Sequence, residues 1–132
     1  MNDIKKTILA TISIAIIAIP MYAHAYSKSV SFDLSSSIKG TTKFSLDSAK
    51  TTVTVDGNTY YASGKVSPDK SDYTPDLYKS VFTNYSFRTQ ATGVTKTYSL
   101  GTISAGSYVL NFTKNTTNLY GERIKGSATV KQ

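Results

Sequence analysis

The 132-residue chain has no cysteine and one histidine, which rules out a disulfide framework and leaves no thiolate or imidazole set for zinc. Its 15 lysines and arginines outnumber 8 aspartates and glutamates, and the net charge of +7 favours contact with anionic surfaces. A chain of this length holds one domain with one modest core.

Lys5 and Lys6 precede an isoleucine-rich apolar run from Ile8 to Ile19, which Pro20 breaks. Ala23-His24-Ala25 then supplies the small-x-small pattern that a signal peptidase reads. The run is shorter than the roughly 20 residues that a helix needs to cross a bilayer. Residues 1–25 are therefore predicted to be a cleaved signal peptide, and residues 26–132 a secreted, extracellular domain with no transmembrane segment. Losing Lys5, Lys6 and Asp3 lowers the net charge by only one, and losing His24 removes the sole histidine. The Lys/Ile-rich leader resembles those of bacterial exports.

Beyond residue 25, Ser and Thr alternate with Val, Phe, Tyr and Leu, the period of half-buried strands. Val30, Phe32 and Leu34 share one face of a first strand, and Thr42, Phe44 and Leu46 share one face of a second. Val53 and Val55 lead into Asp56-Gly57-Asn58, a turn signal followed by Tyr60, Ala62 and Val66, which predicts a hairpin. Val81, Thr83, Tyr85 and Phe87 line up next, and then Val94, Tyr98 and Leu100. After a turn-rich link, Tyr108, Leu110 and Phe112 alternate, with Asn111 facing outward between them. Ile124, Gly126, Ala128 and Val130 close the series, with Arg123, Lys125 and Lys131 on the other face. About eight strands with no helical period predict a single antiparallel β-sandwich, immunoglobulin-like or jelly-roll-like. A small β-barrel is the alternative.

The segment from Ser67 to Ser80 breaks the alternation with Pro68, Pro75 and three aspartates, and reads as a long loop or crossover with room for a helical turn near Asp76. Tyr73 and Tyr78, with Lys70 and Lys79 beside them, are predicted to form a ligand-binding rim there, joined by Tyr61 and Tyr120. Tyrosine offers a flat apolar face with a polar handle, suited to sugar or protein contact. Asp69, Asp72 and Asp76 are weak candidates for a calcium site, because hard cations take carboxylate ligands, although Lys70 opposes them.

Residues 26–132 contain no histidine or cysteine, so neither a Ser-His-Asp triad nor a Cys-His pair can be assembled within them. A carboxylate pair would have to come from Asp33, Asp47, Asp56, Asp69, Asp72, Asp76 or Glu122, and most of these sit at predicted turns or solvent faces. No enzyme and no cofactor are predicted. The stretch Ser104 to Phe112 resembles the turn-plus-strand that ends many extracellular β-sandwich modules, which implies a fold and no activity.

Lysines spread along the chain argue against a dedicated nucleic-acid groove. The function expected from these features is a non-enzymatic binding module held on an anionic polysaccharide, cell-wall polymer or other cell-envelope or matrix polymer. The alternative is a diffusible effector with a protein partner, such as an inhibitor, toxin component or antimicrobial factor.

Overall fold

The computed structural model describes residues 25–116 and 121–132, so the predicted signal peptide, Ala25 apart, lies outside the described residues. Eleven strands are present: β1 (Ser27–Leu34), β2 (Ser37–Ile38), β3 (Phe44–Leu46), β4 (Lys50–Val55), β5 (Asn58–Tyr60), β6 (Asp72–Ser80), β7 (Thr83–Ser86), β8 (Thr89–Gln90), β9 (Lys96–Thr102), β10 (Gly106–Lys114) and β11 (Arg123–Lys131). Three pairs are pieces of one line. β2 and β3 both flank β10, β4 and β5 both flank β11, and β7 and β8 both flank β6. The result is eight lines in two antiparallel four-line sheets: β1, β11, β4/β5 and β9 in the first, and β2/β3, β10, β6 and β7/β8 in the second. The sheets pack face to face as a β-sandwich, and neither closes into a barrel.

Strand alternation builds the core. Phe32 and Leu34 of β1, Val53 and Val55 of β4, and Ile124, Ala128 and Val130 of β11 point inward from the first sheet. Phe44, Leu46, Tyr73, Leu77, Tyr108, Leu110 and Phe112 meet them from the second. The rings of Phe32 and Phe112 stack with centroids 4.3 Å apart. Each fully buried side chain of this kind contributes about 1.5–3 kcal/mol. On the outer face of the first sheet, hydroxyl pairs tie neighbouring strands, Ser29 to Thr129 at 2.6 Å and Thr54 to Thr97 at 2.8 Å. These cross-strand pairs place the abundant Ser and Thr.

Two expectations fail. Asp56-Gly57 does not reverse the chain: β4 and β5 run on in one register along β11, Val55 opposite Ala128 and Asn58 opposite Lys125. The dipeptide makes a kink, and Gly126 lies across from it so closely that a Cβ there would sit 2.7 Å from the Gly57 Cα. Nor is 67–80 a long loop, because Asp72–Ser80 is a strand between β10 and β7. Pro75 forfeits a ladder donor within that strand, the usual argument against a central position. Its carbonyl nevertheless accepts from the Phe87 N–H at 3.2 Å.

The irregular stretch before β6 is tied down as well. The Tyr61 N–H donates to Lys65 O at 2.8 Å, the Ser67 N–H to Thr59 O at 2.8 Å, and the Ser67 hydroxyl to buried Glu122 at 2.6 Å. At the other end of the sandwich, Tyr26 and Gln132 exchange backbone hydrogen bonds of 3.3 and 3.1 Å. Residues 26–132 thus contain every described strand and the whole described core.

Candidate functional site

The outer face of the second sheet carries a cleft bordered by two lysines, a tyrosine and an asparagine. Register sets it: Tyr78 of β6 lies directly opposite Val109 of β10, and Asp76 opposite Asn111. Directly opposed side chains on one face stand about 5 Å apart at Cβ, so these four form one patch. On the other flank of β6, Asn84 and Ser86 face Tyr78 and Asp76.

The segment 39–43, between β2 and β3, arches over this patch. The Gly40 N–H donates to Asn111 Oδ1 at 2.9 Å, which fixes both the arch and the amide. Gly40 is required by proximity, since a Cβ there would lie 2.1 Å from Leu110 O. The open cleft of about 350 Å³ is lined by Lys39, Gly40, Lys43, Tyr78, Val109 and Asn111. Lys39 and Lys43 are exposed, and Tyr78 is half-buried. Opposite the lining Asn111, Asp76 Oδ1 is shut off from solvent and has no hydrogen-bond partner among the described residues. Burial raises the Asp76 pKa, opposed by a hydrogen bond from the Tyr85 backbone.

Beneath the same arch, on its inner side, the open edge between β1 and β2/β3 leaves a second cavity of about 190 Å³. Val30, Phe32, Ile38, Phe44, Leu110 and Phe112 line its apolar side, and Ser31, Asp33, Lys39, Thr41 and Thr42 its polar side.

The residues predicted to form one rim are dispersed. Tyr73 is fully buried in the core, 5.6 Å from the Phe32 ring, because β6 alternation points Tyr73, Pro75 and Leu77 inward. It therefore cannot contact a ligand on the surface. Tyr78 points outward into the cleft. Lys79 belongs to the end of β6, where its ammonium donates to Ala105 O at 2.8 Å. Lys70 sits before the start of β6 with its ammonium on Asn58 Oδ1 at 2.8 Å, and Tyr61 closes the turn after β5 at that same end. An extended strand separates Lys70 from Lys79 by roughly 25–30 Å. Tyr120 lies outside the described residues.

The aspartates do not converge either. Asp72 pairs with Arg88 at 3.0 Å, Asp69 belongs to the preceding loop, and Asp76 lies midway along β6 on its outer face, opposite Asn111. Among the described residues no group of three His, Cys, Asp or Glu side chains could hold a metal ion. Glu122 is buried and accepts from Ser67, while its carbonyl accepts from the Lys114 ammonium.

Lys39, Lys43 and Asn111 were not among the predicted site residues. The signal was present in Lys39-Gly-Thr-Thr-Lys43, a polar, basic break between Ile38 and Phe44, and in the outward phase of Asn111. The site is argued from its geometry alone, because the chain matches no known family model and no curated protein.

Proposed function

We propose that the chain is a secreted, non-enzymatic binding module whose cleft holds an acidic polysaccharide of the cell envelope or extracellular matrix. The observation that supports this most is the grouping of Lys39, Lys43, Tyr78 and Asn111 around one cleft. Each has a distinct part in sugar recognition. The Tyr78 ring offers an apolar face to a pyranose, with its hydroxyl at the edge. Lys39 and Lys43 supply charge to carboxylate or sulfate groups at no geometric cost, since ammonium donors are not directional in the way a guanidinium is. The Asn111 amide suits sugar hydroxyls, which both donate and accept. A positive net charge raises the local concentration of a polyanion around the whole domain.

The test is retention of residues 26–132 on immobilised alginate, a polyuronate, against neutral dextran, at low and high salt. Salt-reversible retention on alginate alone is the expected outcome. Replacing Lys39 and Lys43 together by Ala should weaken it about tenfold or more, and Tyr78→Ala by a similar factor. Retention that survives both variants would remove the cleft from the reading. A protein that binds neither matrix nor the producer's envelope would favour a diffusible effector with a protein target.

A further inference from the structure

The tip of the β6–β7 hairpin is the most exposed apolar feature among the described residues: Phe82 is 94% and Val81 71% exposed. Isolated surface hydrophobes need no explanation, but two adjacent ones at the end of a rigid hairpin make a knob. The hairpin holds its own turn. Asn84 Nδ2 lies 3.4 Å from Ser80 O and 3.3 Å from Val81 O, and the Phe82 N–H meets Ser80 Oγ at 3.3 Å. Backbone groups already partnered lose less on leaving water than free ones do.

The register places a basic collar at the same end of the sandwich. Lys79 precedes the tip in β6, Lys50 pairs with Thr102 where β9 ends, and Lys28 and Lys131 lie where β1 and β11 meet at that end. The acidic side chain there is Asp47. The Lys79 and Lys28 ammonium groups donate to the carbonyls of Ala105 and Lys43, both at 2.8 Å, so their charge is oriented without being cancelled. The ion pairs Arg88–Asp72 and Arg123–Asp33 both lie at the opposite end. Lysines that look scattered in sequence thus share one end of the sandwich with the apolar tip, outside the two ion pairs.

We propose that this end of the sandwich docks on an anionic lipid bilayer, with Val81 and Phe82 entering the interfacial layer and Lys28, Lys50, Lys79 and Lys131 facing headgroup phosphates. A bilayer suits a two-residue knob because it needs no complementary pocket, whereas a protein interface is organised around a larger desolvated core with a polar rim. Basic residues near an anionic leaflet add attraction that salt weakens, and the apolar tip adds a part that salt does not. This surface adjoins the Tyr78 cleft at Lys28, whose ammonium bonds the Lys43 carbonyl, but Val81 and Phe82 line no part of that cleft.

The experiment is co-sedimentation of residues 26–132 with phosphatidylcholine vesicles, with and without phosphatidylglycerol. Binding to the phosphatidylglycerol vesicles is expected, at least several-fold above that to phosphatidylcholine alone. Phe82→Ser should weaken it about tenfold with an unchanged thermal midpoint, since the ring touches no core residue. Lys50→Glu with Lys79→Glu should abolish the preference for anionic lipid, and Tyr78→Ala should leave vesicle binding intact. Wild-type protein that ignores both vesicles overturns the proposal. So does a Phe82→Ser variant that binds vesicles as the wild type does, or one that instead loses retention on alginate, which would make the tip part of a polymer or protein contact.

Discussion

The Asp56 carboxylate accepts from both the backbone N–H of Ser127 at 2.6 Å and its hydroxyl at 3.0 Å. A side chain thus takes over a ladder position that the kinked β4/β5 backbone gives up. The Asp56 N–H still donates to Ser127 O at 3.2 Å, so the two strands stay in register across the break. Charge-assisted bonds to a partly buried N–H are worth more than neutral ones. Asp56→Ala should therefore lower stability by about 2 kcal/mol. Asp56→Asn, which keeps one acceptor, should recover about half of that loss. Urea unfolding of both variants checks this, and equal losses would show that charge, not the acceptor, matters.

Gly40 offers a sharper test of the cleft. A methyl group there meets backbone, the Leu110 carbonyl, which cannot swing aside as a side chain would. Gly40→Ala should displace the 39–43 arch, cost about 1–3 kcal/mol, and break the bond to Asn111. Alginate retention should fall in the same variant even at a temperature where it remains folded. Retention at the wild-type level would mean that the arch takes no part in binding.

Stability at high pH should report on Tyr73. Burial raises its hydroxyl pKa well above the ordinary value, partly offset by the Gly57 backbone and reinforced by Asp56. In the unfolded chain the phenol ionises near pH 10. Above that pH the unfolded state holds fewer protons than the fold, so stability falls as pH rises, and it is fully retained below. Tyr73→Phe should flatten the slope between about pH 10 and 11 while changing stability at pH 7 by about 1 kcal/mol or less. Tyr108 and Tyr26, raised for the same reason, leave a residual slope. An unchanged slope in the variant would refute the assignment.

Asp76 titrates with the same sign at the acid end. Its carboxyl holds a proton to higher pH in the fold than in the unfolded chain, because burial disfavours the charge. Stability is fully present below about pH 4 and declines as pH climbs through the folded value. Asp76→Asn should therefore stabilise the protein at pH 7, by about 1 kcal/mol or less at a half-exposed position, and make no difference at pH 3. Thermal midpoints at the two pH values decide it. A gain in stability accompanied by weaker alginate retention would mark a carboxylate kept for binding at a cost to the fold.

Much of the architecture was legible where alternation is uninterrupted. Tyr108, Leu110 and Phe112 in β10, and Ile124, Ala128 and Val130 in β11, are buried as their phase predicts. Asp56-Gly57-Asn58 does not turn because its glycine serves proximity and not a left-handed backbone: the φ of Gly57 is not positive, and a Cβ there would lie 2.6 Å from the Tyr73 hydroxyl. The kink also needs Gly126, far along the chain, whose missing side chain lets the two backbones approach. In β6, Pro75 and the aspartates hid a strand, since the inward row of Tyr73, Pro75 and Leu77 is apolar only if proline is counted as core. The site suffered from the same error. Neighbours in a loop can share a rim, whereas Lys70, Tyr78 and Lys79 on an extended line cannot, and Lys39 and Lys43 reach Tyr78 only through pairing with β10.

The mutual hydrogen bonds of Tyr26 and Gln132 have a practical consequence. Both ends of the folded segment lie at the same end of the sandwich as the Val81–Phe82 tip, with Gln132 held on Asp47, so an affinity tag, fluorescent protein or immobilising linker fused at either terminus would share the end whose behaviour it is meant to report. The exposed turn at Gly64, with a φ of 94° and open space around it, lies at the opposite pole. A reporter inserted at that turn, or a single cysteine at the neighbouring exposed Ser63 for labelling in a chain that has none of its own, would leave that surface unencumbered.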